Sequence, residues 1–266
     1  MSTNNLLLNH ALKKLRLPVF LSEYEAAARQ AGHENWNYPE YLEHLADAEL
    51  KSRQAKRIQR LLKQAAFPGP KELSEFDFAA VPSLNRGKVL ELARTEFAER
   101  RENVIFLGPP GVGKTHLAIA LGRECCRPGK KVRFYTAAGM TNLCAEAKDE
   151  KRLLKLESQV RKSDVVILDE LGYLPFDRRG AEHLFQFFSN CYGQVSLIIT
   201  TNLPFSEWPA VFADDERLTA ALLDRLTHKS HILEFHEDDE SYRIRMKLKA
   251  METADRKEVR AEVKNS

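Results

Sequence analysis

The sequence predicts an α/β fold: a parallel five-stranded sheet flanked by helices, preceded by a small helical domain. Three observations predict it. The apolar run "NVIFL" meets a glycine-rich loop and then an amphipathic stretch, so strand, loop and helix follow one another over residues 103–127. Four further apolar runs, "KVRFYT", "SDVVILDELG", "VSLIITTN" and "SHILEF", alternate with segments of helical period. Buried strands separated by helix-length segments imply a parallel sheet covered on both faces. Residues 1–66, by contrast, read as almost entirely helical, broken at Pro18 and around "GHENWNYPEY".

In order along the chain, Leu12, Leu15, Phe20, Tyr24, Ala27 and Ala28 suit a small helical packing unit. The breaker "FPGPKE" places a boundary after residue 66, giving an N-terminal domain of 1–66 and a second domain of 67–251. A loop and helix, "FDFAAVPSLNRGKVLELARTEFAER", lead into the first strand. Helices are expected at 114–127, as a charged pair across 138–162, at 178–192 and at 216–227. Residues 252–266 read as a highly charged tail that frays.

Composition narrows the function classes. A chain of 266 residues can hold one domain plus an appendage, and a formal charge of +3 means that any basic site is local. The four cysteines, Cys125, Cys126, Cys144 and Cys191, have no paired metal spacing and read as small apolar residues in a reducing compartment. No apolar run approaches membrane-spanning length, and the N-terminus lacks a signal-peptide pattern. The expected location is the cytoplasm, with no membrane partner.

The chemistry begins at "GPPGVGKTH". Gly108, Pro109, Pro110, Gly111, Val112, Gly113, Lys114, Thr115 and His116 complete a G-x-x-x-x-G-K-T phosphate loop and its first helical turn. Gly111 and Gly113 let successive N–H groups point inward as a nest, and the following helix aims its N-terminus at the anion. Lys114 reaches the outer phosphates and Thr115 ligates Mg²⁺. No guanine-specific Asn-Lys-x-Asp run is present, so the expected nucleotide is ATP. Phe76 and Phe78 lie where a base contact can form, although a core role suits them better.

The third strand ends in Asp169-Glu170 after four apolar residues, which delivers both carboxylates to the C-terminal edge of the sheet. Asp169 suits the Mg²⁺ shell and Glu170 the general base for an attacking water. The fourth strand ends in Thr200-Thr201-Asn202. If that strand lies between the phosphate-loop strand and the Asp-Glu strand, Asn202 meets the water or the γ-phosphate. A simple turn-initiating role before Leu203-Pro204 is the competing explanation.

These spacings, with "LTAALLDRLTH", resemble AAA+ ATPases of the initiator and helicase-loader branch. At "ILDELGYLPFDRRGAEHLFQFFSNCY", "TTNLPFSEW" and "SYRIR" the chain resembles the IstB-type ATP-binding helper proteins of insertion-sequence transposons. The resemblance implies an AAA+ P-loop fold, ATP hydrolysis, self-assembly into a homo-oligomer, duplex DNA binding and a partner transposase. A helicase loader acting on a replicative helicase is the alternative within the fold. It also implies that Asn202 is a sensor and that Arg225 is an arginine finger, with an Asp224–Arg225 surface pair as the plainer explanation. After Phe235 there is room for one substantial helix, so the C-terminal lid is expected to be reduced, and a second-sensor role for Arg243 or Arg245 stays open.

The candidate DNA surface lies in residues 51–63, which contain no acid. At 3.6 residues per turn, Arg53, Lys56, Arg57 and Arg60 share one helix face with Lys63 at its edge. A solvated charged face is the ordinary explanation of such a run; the resemblance tips it toward sequence-independent contacts to backbone phosphates. Lys148, Lys151, Arg152 and Lys155 form a weaker second candidate, because acids interleave with them.

Overall fold

The computed structural model describes residues 3–236 together with 238 and 239. Arg243, Arg245, the charged tail and the segment expected to replace the lid lie outside the described residues. The chain divides into two compact units between Arg60 and Leu61.

The first unit contains α1 (Thr3–Lys14), α2 (Pro18–Glu34) and most of α3 (Tyr38–Ala65). Pro18 occupies the first turn of α2, where its missing N–H costs nothing. Asn35 ends that helix in the left-handed conformation, with φ 54°. Leu12, Ala27 and Leu45 are buried, and Phe20 and Tyr24 are half-buried. Leu15 and Ala28, both expected in this small core, are exposed, Leu15 by 66 %: Leu15 lies in the turn after α1, where Arg16 is left-handed at φ 57°, and Ala28 follows Ala27 onto the outer side of α2.

The second unit begins within α3, where Leu61 and Ala65 are buried among residues of the sheet domain. This places the division before "FPGPKE", the breaker from which the sequence puts a boundary at 66. Next come α4 (Arg86–Leu92), α5 (Glu96–Glu99), β1 (Asn103–Leu107), α6 (Lys114–Cys126) and β2 (Val132–Thr136). They are followed by α7 (Ala137–Asp149), α8 (Leu153–Arg161), β3 (Val165–Leu171), α9 (Arg178–Cys191) and β4 (Ser196–Thr201). The last elements are α10 (Trp208–Val211), α11 (Glu216–Thr227) and β5 (Ser230–Glu234).

The five strands are parallel in the order β2-β3-β4-β1-β5. Alternation along each strand builds two cores. Val104, Phe106, Ile167 and Ile198 face one side with Leu117, Ala118 and Leu121 of α6. Ile105, Val166, Leu168 and Ile199 face the other with Met140, Leu184, Phe188 and Leu222 from α7, α9 and α11. Side-chain caps start several helices: Thr136 accepts from Gly139 N at 3.0 Å, Asp177 from Gly180 N at 2.8 Å and Asp215 from Leu218 N at 2.9 Å. Helix α6 instead starts on Gly113, at φ 106° and with no side-chain cap.

Candidate functional site

Because β4 lies between β1 and β3, the ends of three adjacent strands meet at one edge of the sheet. Leu107 pairs with Thr201 and leads into the phosphate loop, while Leu168 pairs with Ile199 ahead of Asp169-Glu170. The β3–β4 register then shifts between Leu168 and Leu171, so the two carboxylates occupy an irregular stretch of the ladder.

The loop's glycines answer to distinct constraints. A Cβ at Gly108, whose φ is +145°, would lie 2.4 Å from Phe235 O. A Cβ at Gly113, φ +106°, would lie 2.6 Å from the Phe76 ring. Lys114 Nζ donates to Gly108 O and Pro109 O, both at 2.6 Å, which folds the lysine back over its own loop. Gly108 and Pro109 therefore hold Lys114, and Pro110 through His116 line the adjoining cavity of about 390 Å³. His116 turns its Nε2 to Glu72 O at 2.9 Å, with its ring edge-on to Phe76 at 5.5 Å.

Asp169 sits beneath the cavity, 4 % exposed. Thr115 Oγ1 donates to its Oδ1 at 2.9 Å and Thr200 Oγ1 donates to the same oxygen at 2.5 Å. Burial pushes the carboxyl above the ordinary carboxylate value, and the two hydroxyls and the Lys114 charge pull the other way. Glu170 is exposed in the cavity wall at φ 60°, a conformation uncommon for a non-glycine residue and fixed here by its N–H, which donates to Thr200 Oγ1 at 2.9 Å. Asn202 lines the same wall. The turn after it is made by its neighbours: Thr201 Oγ1 accepts from Leu203 N at 3.2 Å, and buried Trp208 donates Nε1–H to Leu203 O at 3.2 Å.

Sequence reasoning missed several parts of this site. Thr200, read only as a strand end, touches both carboxylate residues. The opposite cavity wall comes from Phe76, Asp77, Ala80 and Val81, and Tyr173 stands beside Glu170. Of the two phenylalanines considered for base contact, Phe76 lines the cavity; Phe78 packs edge-on to Phe76 at 4.9 Å and lies under Arg86. The signal available was the "FDF" run ahead of the loop, which nothing local ties to the phosphates. An oxygen-rich set formed by Thr115, Thr200 and Asp169 suits a hard cation such as Mg²⁺. The loop opens on a cavity of about 390 Å³ and runs straight into the N-terminus of α6, which has no side-chain cap, and this suits a polyphosphate.

Arg225 is not brought to this cavity. It lines a separate cavity of about 280 Å³ with Asn103, Val195 and Leu197, at the beginnings of β1 and β4. Five residues of β1 separate that edge from Gly108, about 16 Å at strand rise. Its Nη1 donates to Ala221 O at 2.7 Å and the guanidinium carbon stands 5.0 Å from the Phe185 ring centroid.

The candidate DNA residues divide. Arg53 is committed within the first unit: Nε pairs with buried Glu49 at 2.8 Å and Nη2 donates to Arg16 O at 2.6 Å. Asp47 pairs with Lys51 at 2.6 Å. The run without acids is thus offset by acids one turn earlier. Lys56, Arg57 and Arg60 are exposed on α3, and Lys63, in the second unit, is exposed as well. In the weaker candidate, Arg152 pairs with Glu150. Among the described residues no helix is long and apolar enough to cross a membrane.

The family described as IstB-like ATP binding protein matches residues 10–250. The chain is 41 % identical over 234 residues to the insertion sequence IS5376 ATP-binding protein of Geobacillus stearothermophilus, covering 88 % of this chain and 92 % of that one. It is 40 % identical over 239 residues to the IS21 ATP-binding protein of Pseudomonas aeruginosa, covering 90 % and 89 %. Among solved structures, AMPPCP-bound DnaA from Aquifex aeolicus superposes with a TM-score of 0.55 at 20 % identity, over 70 % of this chain and 56 % of that one, a likeness of fold. The chain belongs to the IstB-like ATP-binding protein family, on an AAA+ P-loop fold.

Proposed function

From that membership we propose that the protein is an ATP-hydrolysing switch that assembles with further copies of itself on duplex DNA and assists a partner transposase. The observation that carries the reading is the separation of two half-sites within one chain. Lys114, Thr115, Asp169, Glu170 and Asn202 gather at one edge of the sheet, and Arg225 is held at the other. A phosphate cavity at one edge of the sheet and an arginine held at the other suit a reaction completed at the junction of two copies.

In this reading Thr115 and Asp169 would hold Mg²⁺, which would supply positive charge against the bound polyphosphate. Lys114 moves from its own loop carbonyls to the outer phosphates. Glu170 takes the proton of a water lying in line with the γ-phosphate, and Asn202 orients that water. Thr200 keeps the Asp169 carboxylate and the Glu170 backbone in place. Arg225 of a second copy neutralises the transition state; such fingers are worth roughly 10³–10⁵ in rate. Lys56, Arg57, Arg60 and Lys63 supply phosphate contacts with no base readout. Transposase assistance is supported by the insertion-sequence names of the relatives.

The test is ATP-dependent assembly by sedimentation, with and without duplex DNA, alongside hydrolysis. Wild type is expected to assemble with ATP, further with DNA, and to hydrolyse faster as concentration rises. Arg225→Ala binds ATP but neither assembles nor hydrolyses, and mixing it with Lys114→Ala restores part of the activity. Concentration-independent hydrolysis by a monomer, unchanged by DNA and by Arg225→Ala, would sink the reading. Pulldown with the transposase against a replicative helicase identifies the partner.

A further inference from the structure

Arginine has several rotatable side-chain bonds, and an unassisted guanidinium at a protein surface samples many directions. Arg225 is restricted by two contacts, the bond to Ala221 O at 2.7 Å and the Phe185 ring at 5.0 Å. The ring comes from α9, whose Leu184, Phe187 and Phe188 fill the core on that face of the sheet. Phe185 packs only at the margin of that core and stays half-buried.

A comparison with Arg53 makes the chemistry plain. Arg53 is held by a carboxylate, which neutralises it. Arg225 is held by an aromatic face and a carbonyl, which attract the cation without cancelling its charge. Only the second arrangement leaves a full positive charge to offer a phosphate.

We propose that Phe185 is the positioning residue for Arg225, presenting the guanidinium to the γ-phosphate of a nucleotide bound by a second copy. This rests on the reading of Arg225 as a cation acting between copies. Phe185 does not line the phosphate cavity; it acts through Arg225.

The test is complementation. Phe185→Leu is expected to bind ATP as wild type, showing that it is folded, and to lose about three- to thirty-fold in kcat with KM unchanged, the range set by a cation–π contact. Phe185→Tyr, which keeps the ring, should retain the rate. Mixed with Lys114→Ala, which carries an intact Arg225, Phe185→Leu regains hydrolysis; mixed with Arg225→Ala it does not. If Phe185→Leu does not fold, Phe185→Met is used in the same assays. Wild-type kcat in the ringless variant overturns the proposal, as does an ATP-binding variant that Lys114→Ala fails to rescue. Normal hydrolysis by Arg225→Ala overturns the between-copies reading itself, and is distinguished because it is read before any Phe185 variant enters.

Discussion

Thr200 Oγ1 donates to Asp169 Oδ1 at 2.5 Å and accepts from Glu170 N at 2.9 Å, so one hydroxyl on β4 holds both carboxylate residues of β3. Thr200→Val keeps the shape and removes both bonds. It should lower kcat by about 10–100-fold while changing ATP affinity little, and should cost about 1–3 kcal/mol of stability by leaving buried polar groups unpaired. Thr200→Ser should restore both. Steady-state hydrolysis with nucleotide titration and a denaturant melt decide the matter; an unchanged kcat in Thr200→Val removes the threonine from the site.

Lys114→Ala should abolish ATP binding, since its ammonium is the cation nearest the loop. Glu170→Gln should keep ATP binding and stop turnover, because the amide cannot take a proton. Its DNA complex should outlast that of wild type. Filter binding and phosphate release measured on the same samples separate the two; normal hydrolysis by Glu170→Gln assigns the base elsewhere.

Burial holds the Asp169 carboxyl above its unfolded value. For a raised carboxylate, the group's contribution to stability is full below the unfolded pKa and is lost as pH rises through the folded pKa. At neutral pH the ionised group therefore destabilises the ligand-free chain. Asp169→Asn should raise the ligand-free Tm at pH 7, with the gain shrinking as pH falls toward the carboxylate range. It should also erase the extra Tm that Mg²⁺ gives over ATP alone. A lower ligand-free Tm at pH 7 contradicts the assignment.

On α3, Lys56, Arg57 and Arg60 changed together to Glu should weaken DNA binding on every sequence and leave ATP binding intact. Each lost phosphate contact lowers the slope of log K against log[salt] by about 0.9. Arg53→Ala should behave differently: the slope stays, and Tm falls because buried Glu49 loses its partner. If Arg53→Ala changes the slope as much as the others do, the division of the stripe is wrong.

All four thiols are buried, and burial pushes Cys126 and Cys144 up to about 11, Cys191 up to about 12 and Cys125 further still. The thiolate is the reactive form. The native protein at pH 8 should leave all four unlabelled by maleimide over minutes, and the unfolded protein should label fully. Rapid native labelling of any one would show that its helix opens locally.

What the sequence by itself determined is whatever lies in contiguous residues. Gly108–Thr115 and Asp169-Glu170 each encode a strand, a turn and the groups at its end, and α11 falls on the residues its periodicity marks, Glu216–Thr227. Backbone geometry over a few residues follows from local sterics and burial period, so these segments are legible one at a time. Tertiary structure decided the rest. Placing β4 between β1 and β3 turned Asn202 from a conditional candidate into a wall of the cavity, and brought Thr200 onto Asp169. It also set Phe76 against Gly113 and Phe185 against Arg225, and committed Arg53 to Glu49 and Arg16 rather than to an open cationic face. Most of these contacts join residues far apart in the chain, and they are selected by which strand orders and helix packings bury the two cores without leaving polar groups unpaired. That choice is made by the whole chain at once, so no local stretch of sequence carries it.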